Sequence, residues 1–289
     1  ARGFIARDDR YYSLIQLELF DSYSASSAGL YALSESYLYT VEALEAYLAR
    51  LKPEGYLGIS RWIKLPPRDT LKLFATAIDA LKRSGIERPD EHLLLIRTLQ
   101  TSTLLIKPTP ITVEEIERAI EFARERSFDL AYYPGMPPEQ ANRFNILSKP
   151  YFYMGAMALL NDGDDGRADF IERYKFNLEP ATDDRPFFFH FFKWQVLPEI
   201  LSLTGEGGMP LLEWGYLILI ATLLQALLGA TFLIVLPLLI YRRKRIEGGS
   251  RRLTLHSLIY FLSLGLAFLF IEIAFIQKFI LFLHHPIFA

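Results

Sequence analysis

The chain has 289 residues, with 31 Lys and Arg against 33 Asp and Glu, a balance that presents no basic field to nucleic acid. It contains no cysteine, which excludes disulfides, thiolate metal sites and Cys nucleophiles. Its five histidines form no HExxH or spaced His/carboxylate set, so neither a nucleic-acid partner nor a catalytic metal is expected.

Tyr12 to Asp21 (YSLIQLELFD) is a short apolar run ending in carboxylates, which predicts a buried parallel strand with Glu18 and Asp21 at its carboxyl end. Small residues from Ser22 to Gly29 predict a loop. Ser34 is expected to N-cap a helix with Leu38, Val41, Leu44, Leu48 and Leu51 on its apolar face, stopped by Lys52-Pro53-Glu54-Gly55. A second strand follows from Tyr56 to Trp62. Asp69 reads as the N-cap of a helix carrying Leu71, Phe74, Ile78 and Leu81 on one face, with Gly85 after its end. Strand, helix, strand, helix implies βαβ crossovers and a parallel sheet. His92 to Leu99 and Thr103 to Lys107, joined by Gln100-Thr101-Ser102, predict an antiparallel hairpin. Thr112 and Glu115 have capping-box spacing for a helix through about Arg126.

From Phe128 to Asn177 the pattern weakens, punctuated by Pro134, Pro137, Pro138 and Pro150. The polar run Asn161 to Gly166 lacks the full ligand alternation of a calcium loop and reads as a solvated turn. Phe187 to Trp194 admits two readings: aromatics at the headgroup depth of a bilayer, or an aromatic strand closing the core. Trp214 to Tyr241 holds no charged residue and predicts a membrane span; Thr254 to about Ile276, interrupted by Glu272, predicts a second. Between them Arg242, Arg243, Lys244, Arg245, Arg251 and Arg252 form a basic loop that charge bias places in the cytoplasm, which puts the preceding domain outside. Glu272 within a span costs about 2.5–3.5 kcal/mol, so it calls for a partner from another helix, either as a protonated structural group or as the working group of a transporter.

The expected organisation is therefore a Rossmann-type part over 1–126, an irregular extension with an aromatic juxtamembrane segment over 127–210, and two transmembrane helices, about 214–241 and 254–283, over 211–289. Ala1 and an apolar final stretch suggest a piece of a longer multi-pass cell-membrane protein, with further membrane helices and the lipid bilayer as partners.

In a doubly wound sheet ligands lie beyond the carboxyl ends of the strands, where Glu18 and Asp21 fall. On pattern alone the preferred reading is a strand end with Asp21 capping the following loop. Residues 12–62, with YSLIQLELFDS, then SAGLYALSESYLYTVEALEAYL, then LKPEGYLGISRW, resemble the spermidine/spermine synthase family, a branch of the class I S-adenosylmethionine-dependent methyltransferase fold. Thr182-Asp183-Asp184-Arg185-Pro186 and the stretch from Leu264 to Phe282 are similar to segments of membrane-bound proteins related to it. The resemblance implies an α/β fold, the C-terminal half of a methyltransferase-type Rossmann sheet with a final antiparallel hairpin, followed by two transmembrane helices. It further implies transfer of an aminopropyl or methyl group from S-adenosylmethionine, or its decarboxylated form, to a small amine or polyamine. Glu18 then takes the place of the carboxylate that helps deprotonate the amine, and Asp21 that of its companion. Departures from the family pattern are Glu18 for the usual Asp, Ser22 for Pro and Ser13 for Asp, with no glycine-rich cofactor turn in the chain. The rival expectation is a non-catalytic domain that keeps the fold in a structural or regulatory role.

Overall fold

A computed structural model describes residues 2–19, 34–161, 164–196, 214–236 and 251–283, and it divides into two compact units, Ala1–Ala221 and Thr222–Ala289. In the first unit, helix α1 (Arg2–Arg7) leads into strand β1 (Tyr12–Leu17). Helix α2 (Val41–Leu48), strand β2 (Leu51–Trp62) and helix α3 (Asp69–Arg83) follow. β1 and β2 are parallel, with Leu17 opposite Ile59. Strands β3 (Leu93–Arg97) and β4 (Thr101–Ile106) form the antiparallel hairpin, and β4 inserts beside β2. Strand β5 (Asp129–Tyr132) adds antiparallel to β3, giving a mixed five-stranded sheet in the order β1-β2-β4-β3-β5.

Period-two alternation divides the sheet's side chains between two cores. Ile15, Leu17, Leu57, Ile59, Leu93, Leu95, Leu104 and Ile106 pack against α2, α3 and helix α5 (Tyr151–Leu160). Leu94 and Leu130 pack with Ala123 of helix α4 (Val113–Glu125). Gly155 brings α5 close to α3: a Cβ there would stand 2.5 Å from a Leu71 methyl. α4 opens with the capping box Thr112–Glu115, both reciprocal bonds present. α3 ends on Gly85 at φ +86°, where the amides of Gly85 and Ile86 donate to the carbonyls of Lys82 and Leu81, a Schellman close.

Several local expectations are corrected. α2 starts at Val41, with Thr40 rather than Ser34 as its cap: the Thr40 hydroxyl accepts from the Ala43 amide at 3.2 Å, while Ser34 is exposed. Lys52-Pro53-Glu54-Gly55 lies inside β2 as a register irregularity, not as a helix stop. Gly55 is needed there because a Cβ would sit 2.7 Å from the Tyr12 carbonyl oxygen. Asp164, in the acidic run, begins helix α6 (Asp164–Arg173).

The largest correction concerns the membrane. Helix α7 (Trp214–Ala230) has 17 residues, and Thr231–Val235 continues it with π-type winding. At about 1.5 Å per residue α7 covers roughly 25 Å of the roughly 30 Å hydrocarbon thickness. Helix α8 (Arg251–Leu283) has described apolar side chains from Ile259 to Phe275, with Glu272 near the end of that run. Among the described residues no helix is long and apolar enough to cross a membrane, which overturns the expected spans at 214–241 and 254–283 and the multi-pass membrane assignment built on them. The basic loop over 242–250 lies outside the described residues. Phe187 to Trp194 is corrected too: Phe188 and Phe191 belong to the core of the first unit, in irregular chain rather than at a bilayer surface or in a strand.

Candidate functional site at the carboxyl ends of β1 and β2

β1 buries Ile15 and Leu17, and the next residue, Glu18, is exposed at the carboxyl end of the parallel pair. Asp21, its expected companion, lies outside the described residues, so the structure does not bring the two together. Glu272 is exposed on α8, in the other unit, with no ion pair among the described residues.

β2 ends differently. Continuing the buried alternation of Leu57 and Ile59, the next inward position is Arg61, which is fully buried. One guanidinium nitrogen lies 3.4 Å from Asp69 Oδ1 and another donates to the Tyr39 hydroxyl at 3.2 Å. The same guanidinium lies over the rings of Tyr39 at 5.2 Å and Phe189 at 4.9 Å. Asp69, the first residue of α3, also has Lys64 at 3.6 Å and Arg68 at 3.8 Å. One turn on, Lys72 donates to the carbonyls of His190 at 3.0 Å and Phe187 at 3.4 Å and lies 5.2 Å from the Phe191 ring. Arg68 lies over Phe176 and Phe191 at 5.0 and 5.5 Å.

Three cations, Arg61, Lys64 and Arg68, thus surround one buried carboxylate, with Lys72 one turn on, and aromatic faces supply further negative potential. Burial pushes the Asp69 carboxyl upward, but Lys64, Arg61 and Arg68 outweigh it and hold it below the usual carboxylate range. Its place at the amino end of α3 acts in the same direction. Burial, with Lys72 nearby, holds His190 below the ordinary imidazole value, so it is neutral near pH 7. Desolvated charge–aromatic contacts of this kind contribute about 2 kcal/mol or more each. The cluster therefore joins the end of β2, α3 and residues 176–191 into one block.

The Thr182–Pro186 segment closes that block. Thr182 and Arg185 form an isolated bridge. Asp183 accepts from both terminal nitrogens of Arg2 and from the Thr40 hydroxyl, all at 2.7 Å, while its amide donates to Glu42 at 2.9 Å. Arg2 and Thr40 hold its carboxyl below the usual range although burial opposes them. The segment acts as a clasp that ties α1 and the cap of α2 to the chain at Asp183.

No family model and no curated protein matches the chain.

Sequence reasoning missed the Arg61–Asp69 centre, because Asp69 has an N-cap's spacing and Arg61 an exposed residue's chemistry. The available signal was the cationic series Arg61, Lys64, Arg68 and Lys72 against a later run of five phenylalanines, 187–192 interrupted by His190. The β2–α3 connection, Ile63 to Arg68, carries Pro66 and Pro67 and no glycine, so it offers no close backbone approach to a nucleoside. Among the described residues no group of three or more His, Asp or Glu side chains is placed to hold a metal.

Proposed function

We propose that the first unit is the carboxyl half of a methyltransferase-type Rossmann domain of the spermidine synthase-like kind, working on an amine with a sulfonium nucleotide donor. The observation that supports this reading is the exposed carboxylate of Glu18, one residue beyond the half-buried edge strand β1 in a parallel pair, at the end of the sheet where open α/β sheets take ligands. The donor, S-adenosylmethionine or its decarboxylated form, supplies the activated carbon. As the amine nitrogen bonds to that carbon, the carbon–sulfur bond breaks and its electron pair stays on sulfur as a thioether. The proton leaving the amine passes to Glu18, and Asp21 is assigned as the amine's ligand.

The described residues contain no nucleoside cradle, so donor binding is the first measurement. Calorimetry of the full chain with S-adenosylmethionine, its decarboxylated form and methylthioadenosine is expected to give heat with at least one. Glu18→Gln is expected to retain that heat while lowering transfer by about 10²–10⁴-fold. Absence of heat with all three excludes the reading. A second reading, a non-catalytic domain with a structural or regulatory role, is favoured by the cation–aromatic block that fills the carboxyl end of β2. It predicts that none of the three nucleotides binds.

A further inference from the structure

β1 forms one edge of the sheet and β5 the other. All four residues of β5 are buried, whereas Ser13, Leu14 and Gln16 of β1 are exposed, Leu14 by 55%. Among the described residues no strand pairs with the outer side of β1, so its backbone offers a row of N–H and C=O groups to a further strand. Exposed edges are commonly guarded by charged residues or proline. Tyr12–Leu17 (YSLIQL) contains neither.

The sequence around β1 is complementary to itself. An antiparallel pair centred on Leu14 sets Leu14 opposite Leu14 of the partner subunit and Tyr12 opposite the partner subunit's Gln16. Leu14 and Gln16 point away from the face that buries Ile15 and Leu17, so the pairing leaves the core of each copy intact. Carried two residues further, the same register sets Arg10 opposite Glu18 of the partner subunit, once at each end of the seam. Other centres lose the match. Centred on Ser13, Arg10 would meet Gln16, and centred on Ile15, Glu18 would meet Tyr12. Both charges are accessible for the pairing. Arg10 is 71% exposed and holds Asp8 through Nε and Nη2, which leaves Nη1 as a donor to a second carboxylate. Glu18 is exposed and makes no hydrogen bond or ion pair among the described residues.

We propose that β1 is a dimerisation edge, at which a second copy of this chain pairs antiparallel across a two-fold axis at Leu14 and joins two five-stranded sheets into one. A seam of one strand is small, so the association is reversible, with a Kd on the order of 10–100 μM. The proposal does not rest on the group-transfer reading, which uses Glu18 for proton transfer and would give the outer side of β1 to another strand of a Rossmann sheet. Nucleotide calorimetry tests that reading, and crosslinking tests this one.

The native chain has no cysteine, so single introduced thiols report the register. In the full chain with oxidised glutathione, Leu14→Cys is expected to form an intermolecular disulfide, because directly opposite positions lie within disulfide reach. Gln16→Cys is expected to crosslink at least about tenfold more slowly, since the two positions 16 lie roughly 14 Å apart along the strands. Arg10→Glu added to Leu14→Cys should slow crosslinking about three- to tenfold, and Arg10→Glu together with Glu18→Arg should restore it. All four positions are exposed, so thermal unfolding is expected to stay at the wild-type temperature. No disulfide with Leu14→Cys, the result expected if a different strand takes the edge, would overturn the proposal. Equal rates at positions 14 and 16, or a double charge reversal no faster than the single, would overturn it as well.

Discussion

Arg2 reaches across 181 positions of sequence to grip both carboxylate oxygens of Asp183, each at 2.7 Å. The pair is half-exposed, so its own Coulomb contribution is modest. The third bond, from the Thr40 hydroxyl, ties the same carboxylate to the cap of α2. Asp183→Ala is expected to cost about 1–2 kcal/mol and to lower the melting temperature by about 2–8 °C. Combined with Arg2→Ala, the loss should fall short of the sum of the two single losses, since both remove one interaction. Additive losses in thermal unfolding would show that the clasp is not a unit.

Phe188 is fully buried among Tyr39, Phe189 and Phe191, with ring centroids 4.9, 5.2 and 6.2 Å away. Phe188→Ala is expected to destabilise the first unit by about 3–5 kcal/mol, read as a lowered urea midpoint with an unchanged slope. An aromatic segment seated in lipid headgroups would leave that midpoint where it was.

Removing Asp69 leaves Arg61, Lys64 and Arg68 facing one another in a buried space. Asp69→Asn keeps the shape and is expected to cost about 3–5 kcal/mol. Arg61→Met removes one cation from an excess and should cost less. The order of the two denaturation midpoints decides between a charge-balanced block and simple packing.

Asp129 sets an acid limb. Burial pushes its carboxyl up, but the amides of Phe144 and Asn145 and the guanidinium of Arg97 outweigh burial and hold it below the usual range. A depressed carboxylate contributes stability that is complete above the unfolded value of about 3.9 and is lost as pH falls through the folded value. Glu115, held at about 2 against burial by the Thr112 amide, Lys107 and Tyr56, acts in the same sense. Stability should therefore fall steeply below about pH 4, and Asp129→Asn should flatten that fall while lowering the plateau at neutral pH. A pH–stability profile with the wild-type slope in the variant would refute the assignment.

Gly155→Ala tests the packing of α5 on α3 directly. The added methyl would press on Leu71 across a buried contact with little room to move, for an expected cost of about 1–3 kcal/mol. Gly155→Ala with Leu71→Ala should recover part of that loss.

What could be read from sequence was what neighbours in sequence decide. The Thr112–Glu115 box, the Gly85 stop and the β3–β4 hairpin all emerge from contacts a few residues long, and all were legible. The start of α2 was not, because Ser34 and Thr40 have similar cap chemistry and only Thr40 also meets Asp183, 143 positions away. The β2 irregularity is not legible, because Lys-Pro-Glu-Gly breaks helices and suits a bulge equally well. Long apolar stretches at 214–241 and 254–283 predicted spans on composition, whereas crossing requires a helix that is at once long and apolar enough, and none of the described residues form one. Of the site, Glu18 was legible as a carboxylate at a strand end. The Arg61–Asp69 centre was not, since its partners Phe188 and Phe189 arrive more than a hundred residues later and no local pattern announces them.

That late arrival bears on how the molecule comes into being. During synthesis the chain emerges at about 5–20 residues per second, so β1, β2 and α3 are all exposed well before Asp183, Phe188 and Phe191 leave the ribosome. Until then Arg61, Arg68 and Lys72 lack the aromatic faces and carbonyls that surround them in the finished unit. The nascent sheet must wait with its cations hydrated, and the contacts that join Arg2 and Arg61 to residues 183–191 form late. A chain released at Pro180 should accordingly be a collapsed, protease-sensitive species rather than a smaller native domain.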